Sequence, residues 1–320
     1  MKLLTPVDIP EYPFRMDHHH SVLMLGSCFT EEVGRRLEEY LFPVCINPFG
    51  TIYNPLSVNR ALEMVMEKPA YGENDLDRND DLWFSFDHST AFSSTDPAVV
   101  LERINQRLDS AGERMNASNL LILTWGTAWV FRLRSGGRVV SNCHKIPSSH
   151  FTRSRLAVEE IVSACESVLD RLFGLNQELK VIFTVSPVRH WKDGAHGNQL
   201  SKATLLLAVD KLMEIFPKRC FYFPSYEIVM DELRDYRWYA RDMLHPAEAA
   251  SGFIWKKFEE AVISPEAREL NHEIHKLLEM KRHRPRAGEG NAFRKWQDKL
   301  AKMEEDMKSG YPHLQWSNFV

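Results

Sequence analysis

Val22-Leu23-Met24-Leu25-Gly26-Ser27-Cys28-Phe29-Thr30-Glu31 is the stretch whose reading decides the fold. Its unbroken apolar run reads as a strand buried on both faces, as in a parallel sheet covered by helices. Gly26 permits a tight turn, and Thr30 to Tyr40 then reads as a helix, with Glu31 and Glu32 suited to its positive N-terminus. Gly34 leaves room for close packing of that helix on a strand. A sharp strand-to-helix turn can present a side chain above the sheet, beside free backbone N–H groups. A thiol placed there is expected to have its thiolate favoured by the helix dipole, whereas a serine needs a histidine base. Ser27 and Cys28 are adjacent, so their side chains are expected to point apart, with one facing the site. The same residues also fit a buried small side chain beside a capping hydroxyl.

Outward from this turn the pattern repeats. Val44-Cys45-Ile46 reads as a second strand ending in Asn47-Pro48-Phe49-Gly50, and Leu120 to Thr124 as a third stopping at Gly126. Val181 to Val185 is a fourth, stopped by Ser186-Pro187, and Phe221-Tyr222-Phe223 a fifth before Pro224. Between them Ser57 to Glu67 is helical. Ile161, Cys165, Val168 and Leu172 share one helix face, and Leu205, Val209 and Leu212 another. The expectation is an α/β three-layer sandwich around a mainly parallel five-stranded sheet. Residues 70–118 are partly polar and show no clear period. Residues 129–141 read as a hairpin turning through Ser135-Gly136-Gly137.

A catalytic domain is expected over residues 1–265, followed by a helical extension over 266–320. That extension reads as two charged amphipathic helices parted by Pro285 to Gly290. Phe293, Trp296, Leu300, Met303 and Met307 form a packing seam on the second, where a homo-oligomer would form if the chain makes one.

The chain has 320 residues, 44% of them apolar and 26% charged, which is the balance of a soluble globular protein. A net charge of −4 predicts no general attraction to nucleic acid or to an anionic membrane. The start, Met1 to Asp8, lacks the apolar run of a signal peptide, and no stretch approaches the roughly 20 apolar residues that cross a bilayer. The 5 cysteines are scattered without a CxxC, so free thiols and a cytoplasmic protein are expected, with neither disulfide framework nor zinc knuckle. Consecutive His18-His19-His20 are poorly placed to chelate one ion, and no metal or cofactor is implied.

Five motifs in order, Gly26-Ser27-Cys28-Phe29-Thr30, Asn47-Pro48-Phe49-Gly50, Asn142-Cys143-His144-Lys145, Ser186-Pro187-Val188-Arg189-His190 and Asp242-Met243-Leu244-His245-Pro246, resemble the GSCFA family. The likeness spans roughly residues 10–260, and that mostly bacterial family is related to SGNH/GDSL hydrolases. The resemblance implies their flavodoxin-like sandwich, a nucleophile after the first strand, and an Asp-x-x-His pair near the end of the domain. Aligned without a gap, Gly26 falls on the Gly, Ser27 on the Asp and Cys28 on the nucleophilic Ser of Gly-Asp-Ser. A shift of one residue would make Ser27 the nucleophile but spoils the match at Thr30-Glu31, so Cys28 is favoured and Ser27 stays open. The resemblance makes His245 the base and Asp242 its orienter; the alternative for this segment is a surface turn into a helix from Ala247 to Ala261. It also makes Gly50 an oxyanion donor through its N–H. The family's relatives carry Gly-x-Asn-Asp in a third block, where this chain has Gly126-Thr127-Ala128-Trp129. The donor asparagine is absent, and Thr127 or Asn142 stands in for it.

His144 and Lys145 lie on a polar loop suited to an anionic substrate group, or to solvent. Arg189 and His190 follow the fourth strand at the end where open α/β sheets bind ligands, with a structural salt bridge as their alternative role. The charged run Asp231 to Arg237 is expected to form an ion-pair network that positions the Asp242 loop. The function implied is an esterase or acyl-transfer enzyme acting on a small-molecule or carbohydrate ester. Its rivals are an acyl-CoA-dependent O-acyltransferase, for which no phosphate-cradling loop is present, and a binding protein on the same fold.

Overall fold

The computed structural model describes residues 5–283 and 290–319; Met1 to Leu4 and the expected break from Pro285 to Glu289 lie outside them. Strand β1 (Ser21–Gly26) runs into helix α1 (Cys28–Glu39), followed by β2 (Val44–Ile46) and α2 (Pro55–Glu67). The stretch without a clear period holds a small hairpin, β3 (Asp77–Asn79) and β4 (Leu82–Phe84), then the long helix α3 (Pro97–Ala117). Next come β5 (Ser118–Trp125), β6 (Trp129–Leu133), β7 (Val139–Val140) and β8 (Phe151–Arg155). The remainder is α4 (Val158–Leu175), β9 (Lys180–Val185), α5 (Gly194–Ile215), β10 (Cys220–Tyr222), the short α6 (Ser225–Glu227) running into a π-helical turn, α7 (Glu248–Val262), α8 (Pro265–Arg282) and α9 (Asn291–Gly310).

The central sheet has five strands in the order β10-β9-β5-β1-β2, every neighbouring pair parallel. Alternation within the apolar strands splits the core into two layers. Leu23, Leu25, Leu121, Leu123, Val181 and Phe183 meet α2, α3, α4 and α5 on one face. Val22, Met24, Leu120, Ile122 and Ile182 meet α1 and α7 on the other. This is the flavodoxin-like order, whose switch point, between β1 and β5, opens a crevice at the carboxyl ends of the strands.

The expected hairpin at 129–141 is present, and a third strand joins it: β8 pairs antiparallel with the other side of β6. After α7, helix α8 buries Ala267 and Ile274, and Leu41, Ile274 and Leu314 pack together, so the helical extension rests on the sandwich. Met307 joins that cluster, and Trp296 Nε1 donates to Met280 O at 3.0 Å, so two positions of the seam on α9 meet the rest of the chain. Among the described residues no helix is long and apolar enough to cross a membrane.

Candidate active site

The turn after β1 needs its glycine. Gly26 has φ +146°, and a Cβ on it would meet the Thr124 carbonyl oxygen at 2.1 Å. Its buried N–H donates to Asn47 Oδ1 at 2.9 Å, while the Ser27 N–H donates to Thr124 O at 3.1 Å. Ser27 then caps α1, accepting from the Phe29 N–H at 3.3 Å, and is 1% exposed. Cys28 is the first helical residue and is half-buried.

A cavity of about 420 Å³ opens above the carboxyl ends of β1, β5 and β9. Ser27 and Cys28 line it with Thr127, Asn142, Arg189, His190 and His245. Most of the expected residues therefore share one site, although they come from five separate segments. Asp242 lies just outside, reaching the cavity through His245.

Asp242 and His245 form a ready pair on an exposed turn. His245 Nδ1 donates to Asp242 Oδ2 at 2.6 Å, which leaves Nε2 as the free ring nitrogen. The other carboxylate oxygen accepts the N–H groups of Leu244 at 2.9 Å and His245 at 3.0 Å. Those backbone bonds, with the imidazole after them, hold the Asp242 carboxyl down at about 2, so it is ionised at neutral pH. The turn is anchored by the bonds Ala240 N–H to His245 O and Ala247 N–H to Trp238 O, both 2.8 Å. The charged run does not supply this anchor. Glu232 is instead buried against Lys257 at 2.7 Å and the Val7 N–H at 3.0 Å, which ties the run to α7 and the N-terminal segment.

Several expectations need correcting. Burial, then the Glu31 carboxylate, pushes the Cys28 thiol up, while the N–H groups at the helix start pull less strongly the other way. The acid that suits the helix N-terminus thus opposes a thiolate. Gly50 is not among the residues lining the cavity; its N–H donates to Asn47 O at 2.8 Å, and its φ of +72° with Ser89 packed against it explains the glycine. His144 is buried, with Nε2 between the carbonyls of Ser85 and His88 at 3.0 and 3.1 Å and its ring stacked on Phe84. It holds the hairpin region together, and the exposed Lys145 beside it does not line the cavity.

For the third-block donor, Thr127 Oγ1 accepts from the Trp129 N–H at 3.1 Å and shares a hydrogen with Ser201 Oγ at 3.1 Å. Asn142 Oδ1 accepts the His144 N–H at 2.8 Å, which fixes the amide and leaves its NH₂ as the available donor in the cavity wall. Arg189 makes no salt bridge among the described residues; its guanidinium lies 5.4 Å over the Trp191 ring and its buried Nε has no partner there. His190 is pushed down to about 4 by burial and then by Lys202, so it is a neutral wall of the cavity. The three consecutive histidines diverge: His18 stacks on Phe42, His19 on His313, and His20 bonds Asp17 at 2.7 Å.

Sequence reasoning missed the buried polar layer that supports the cavity-lining segments from behind. Asn198, Ser201 and Lys202 share a face of α5 and are fully buried. Asn198 Oδ1 accepts the His190 N–H at 2.9 Å, and Ser201 Oγ accepts the Ala128 N–H at 2.8 Å. The available signal was spacing, since Lys202 stands three residues before Leu205 on the stripe that enters the core. The front wall is aromatic and cationic: the Arg153 guanidinium lies 4.4 Å over Trp129, pairs with Asp193, and joins β8 to the loop after β9.

Residues 21–258 match the sequence model of the GSCFA family. No curated protein matches the chain. Among solved structures, an acetyl xylan esterase, Est2A, from the rumen bacterium Butyrivibrio proteoclasticus is similar at 14% identity with a TM-score of 0.34, over 79% of this chain and 64% of that one.

Proposed function

The chain belongs to the GSCFA family, and from that premise we propose that it is an esterase that transfers the acyl group of an O-acyl ester through a thioester on Cys28. One observation carries the reading: His245, whose Nδ1 bonds Asp242 Oδ2 at 2.6 Å, lines the same cavity as the strand-end Cys28. A thiol pushed up by burial reacts only if its proton is removed in the same step, and that arrangement supplies the base.

In this mechanism His245 Nε2 takes the Cys28 proton as Sγ bonds to the ester carbonyl carbon. The oxyanion that forms is met by the Asn142 NH₂ and the N–H groups at the start of α1. The carbon–oxygen bond to the alcohol then breaks, and the leaving oxygen takes the proton from the imidazolium. A water, or a second hydroxyl, attacks the thioester carbon and gives its proton to His245; the carbon–sulfur bond then breaks, and the imidazolium returns the proton to the Cys28 thiolate. Asp242 keeps the imidazole in the required tautomer throughout. Trp129, Phe131 and Tyr53 in the walls suit the apolar face of a sugar ring, which supports a carbohydrate ester as the substrate class.

The test is hydrolysis of short-chain p-nitrophenyl esters by folded variants. Cys28→Ala and His245→Ala are expected to lower kcat/KM at least about 10³-fold, and Ser27→Ala to keep most of it. Activity that survives Cys28→Ala and is lost in Ser27→Ala moves the nucleophile by one residue, and a wild type inert on every ester sinks the reading.

A further inference from the structure

A second cavity, of about 500 Å³, flanks the Asp242–His245 turn. Asp242, Met243 and Leu244 line it, whereas His245 lines the cavity that holds Cys28, and Arg189 lines both. Its volume is that of a small-molecule site. The π-helical turn Ile228–Leu233 supplies a further wall and hands the chain to Arg234, which lines the cavity in the left-handed region at φ +37°.

The charges of this lining do not balance. Each acid is already answered: Asp235 pairs with Arg237 at 3.2 Å, and Asp242 has both oxygens engaged by His245 and two backbone N–H groups. The two arginines are not. Among the described residues neither Arg189 nor Arg234 has a carboxylate partner or a side-chain hydrogen bond, and the buried Arg189 Nε is an unmatched donor. Aromatic rings accompany them. Trp191 lies under the Arg189 guanidinium at 5.4 Å, and Tyr236 and Tyr239 have ring centroids 6.3 Å apart. Trp191 is 54% exposed and Tyr236 79%, so apolar faces stand open beside the unpaired guanidiniums.

Such a wall suits one ligand chemistry. Aromatic rings cover the apolar face of a sugar, and guanidiniums grip an oxyanion through paired N–H donors. A neutral sugar would leave two positive charges unmatched, and a bare anion would leave the rings uncovered. We propose that this cavity binds a sugar bearing an oxyanion, carboxylate or phosphate, held by Arg189 and Arg234 against Trp191 and the two tyrosines. Because Arg189 lines both cavities, the bound sugar sits beside the Cys28 centre as the alcohol part of the ester; that role rests on the esterase reading, whereas the binding does not.

The experiment titrates the full chain by calorimetry with the methyl glycoside of glucuronic acid, with glucose-6-phosphate and with neutral methyl glucoside. Wild type, Arg234→Asn and Arg189→Gln are compared. Asparagine tolerates the left-handed backbone and removes the charge. At least one charged sugar is expected to bind about tenfold or more tightly than methyl glucoside, and each substitution to weaken it about tenfold or more. Tighter binding of the glucuronide identifies a carboxylate ligand, and of the phosphate a phosphate ester. Charged sugars that bind no better than methyl glucoside overturn the proposal, as does a charge preference that survives Arg234→Asn. If Arg189→Gln does not fold, Arg234→Asn decides, since Arg234 does not line the Cys28 cavity. A protein that binds the charged sugar but hydrolyses no ester loses the esterase reading and keeps this one. Ester hydrolysis without any charged-sugar binding does the reverse.

Discussion

Ser27 and Cys28 are neighbours with different work. Ser27 is shut away as the cap of α1, so removing its hydroxyl should cost a helix cap, about 0.5–2 kcal/mol, while turnover survives. Cys28 is the half-buried member and the one whose protonation state the surroundings contest, with Glu31 and burial against the thiolate. The sequence placed both residues at the turn, but the sign of the thiol's shift was not legible. It depends on burial and on where Glu31 points, and a helix-dipole argument contains neither. Gly50 taught the same lesson: its conformation is legible as a glycine's, yet its N–H closes a turn on Asn47.

At the scale of elements, the apolar strands were readable to within a residue or two because burial on both faces makes their central positions apolar without alternation. The β8 strand, Phe151–Arg155, was missed because only Phe151 is buried and its other residues face solvent. The β3–β4 hairpin was missed for a related reason, being short and largely exposed. Asn142, delivered by the 129–155 insertion, was legible as a candidate; the buried α5 residues behind the site, Asn198, Ser201 and Lys202, were not, because polar residues on a core face give no motif. The loop after β2 offers a test of how elements are locked together. Asn47 accepts the Gly26 N–H and receives the β1 register through its own N–H on Met24 O at 2.9 Å. Asn47→Ala leaves a buried N–H unpaired and should destabilise the protein by about 1–3 kcal/mol, lowering the urea midpoint at an unchanged slope. No change in midpoint would show that this bond does not hold the turn.

The whole molecule buries neutral imidazoles far apart. Burial pushes His18 down to about 4, His88 to about 3 and His190 to about 4, from an ordinary 6.5. Between those values and 6.5 the unfolded chain binds more protons than the folded one, so stability is full above about 6.5 and is lost as pH falls towards 4. Urea midpoints should therefore drop between about pH 7.5 and about pH 5; equal midpoints would mean that these rings are charged or exposed in solution. Over the same range Asp242 stays ionised, so the Asp242–His245 pair keeps its carboxylate while the body around it weakens. The central claim, that fold, cavity and pair converge on Cys28, is tested most directly by trapping the acyl-enzyme. After brief reaction with p-nitrophenyl acetate and an acid quench, peptide mass spectrometry should find the acetyl group on Cys28 in wild type and far less of it in His245→Ala. An acetyl group on Ser27, or turnover with Cys28 unmodified and dispensable, would contradict the account.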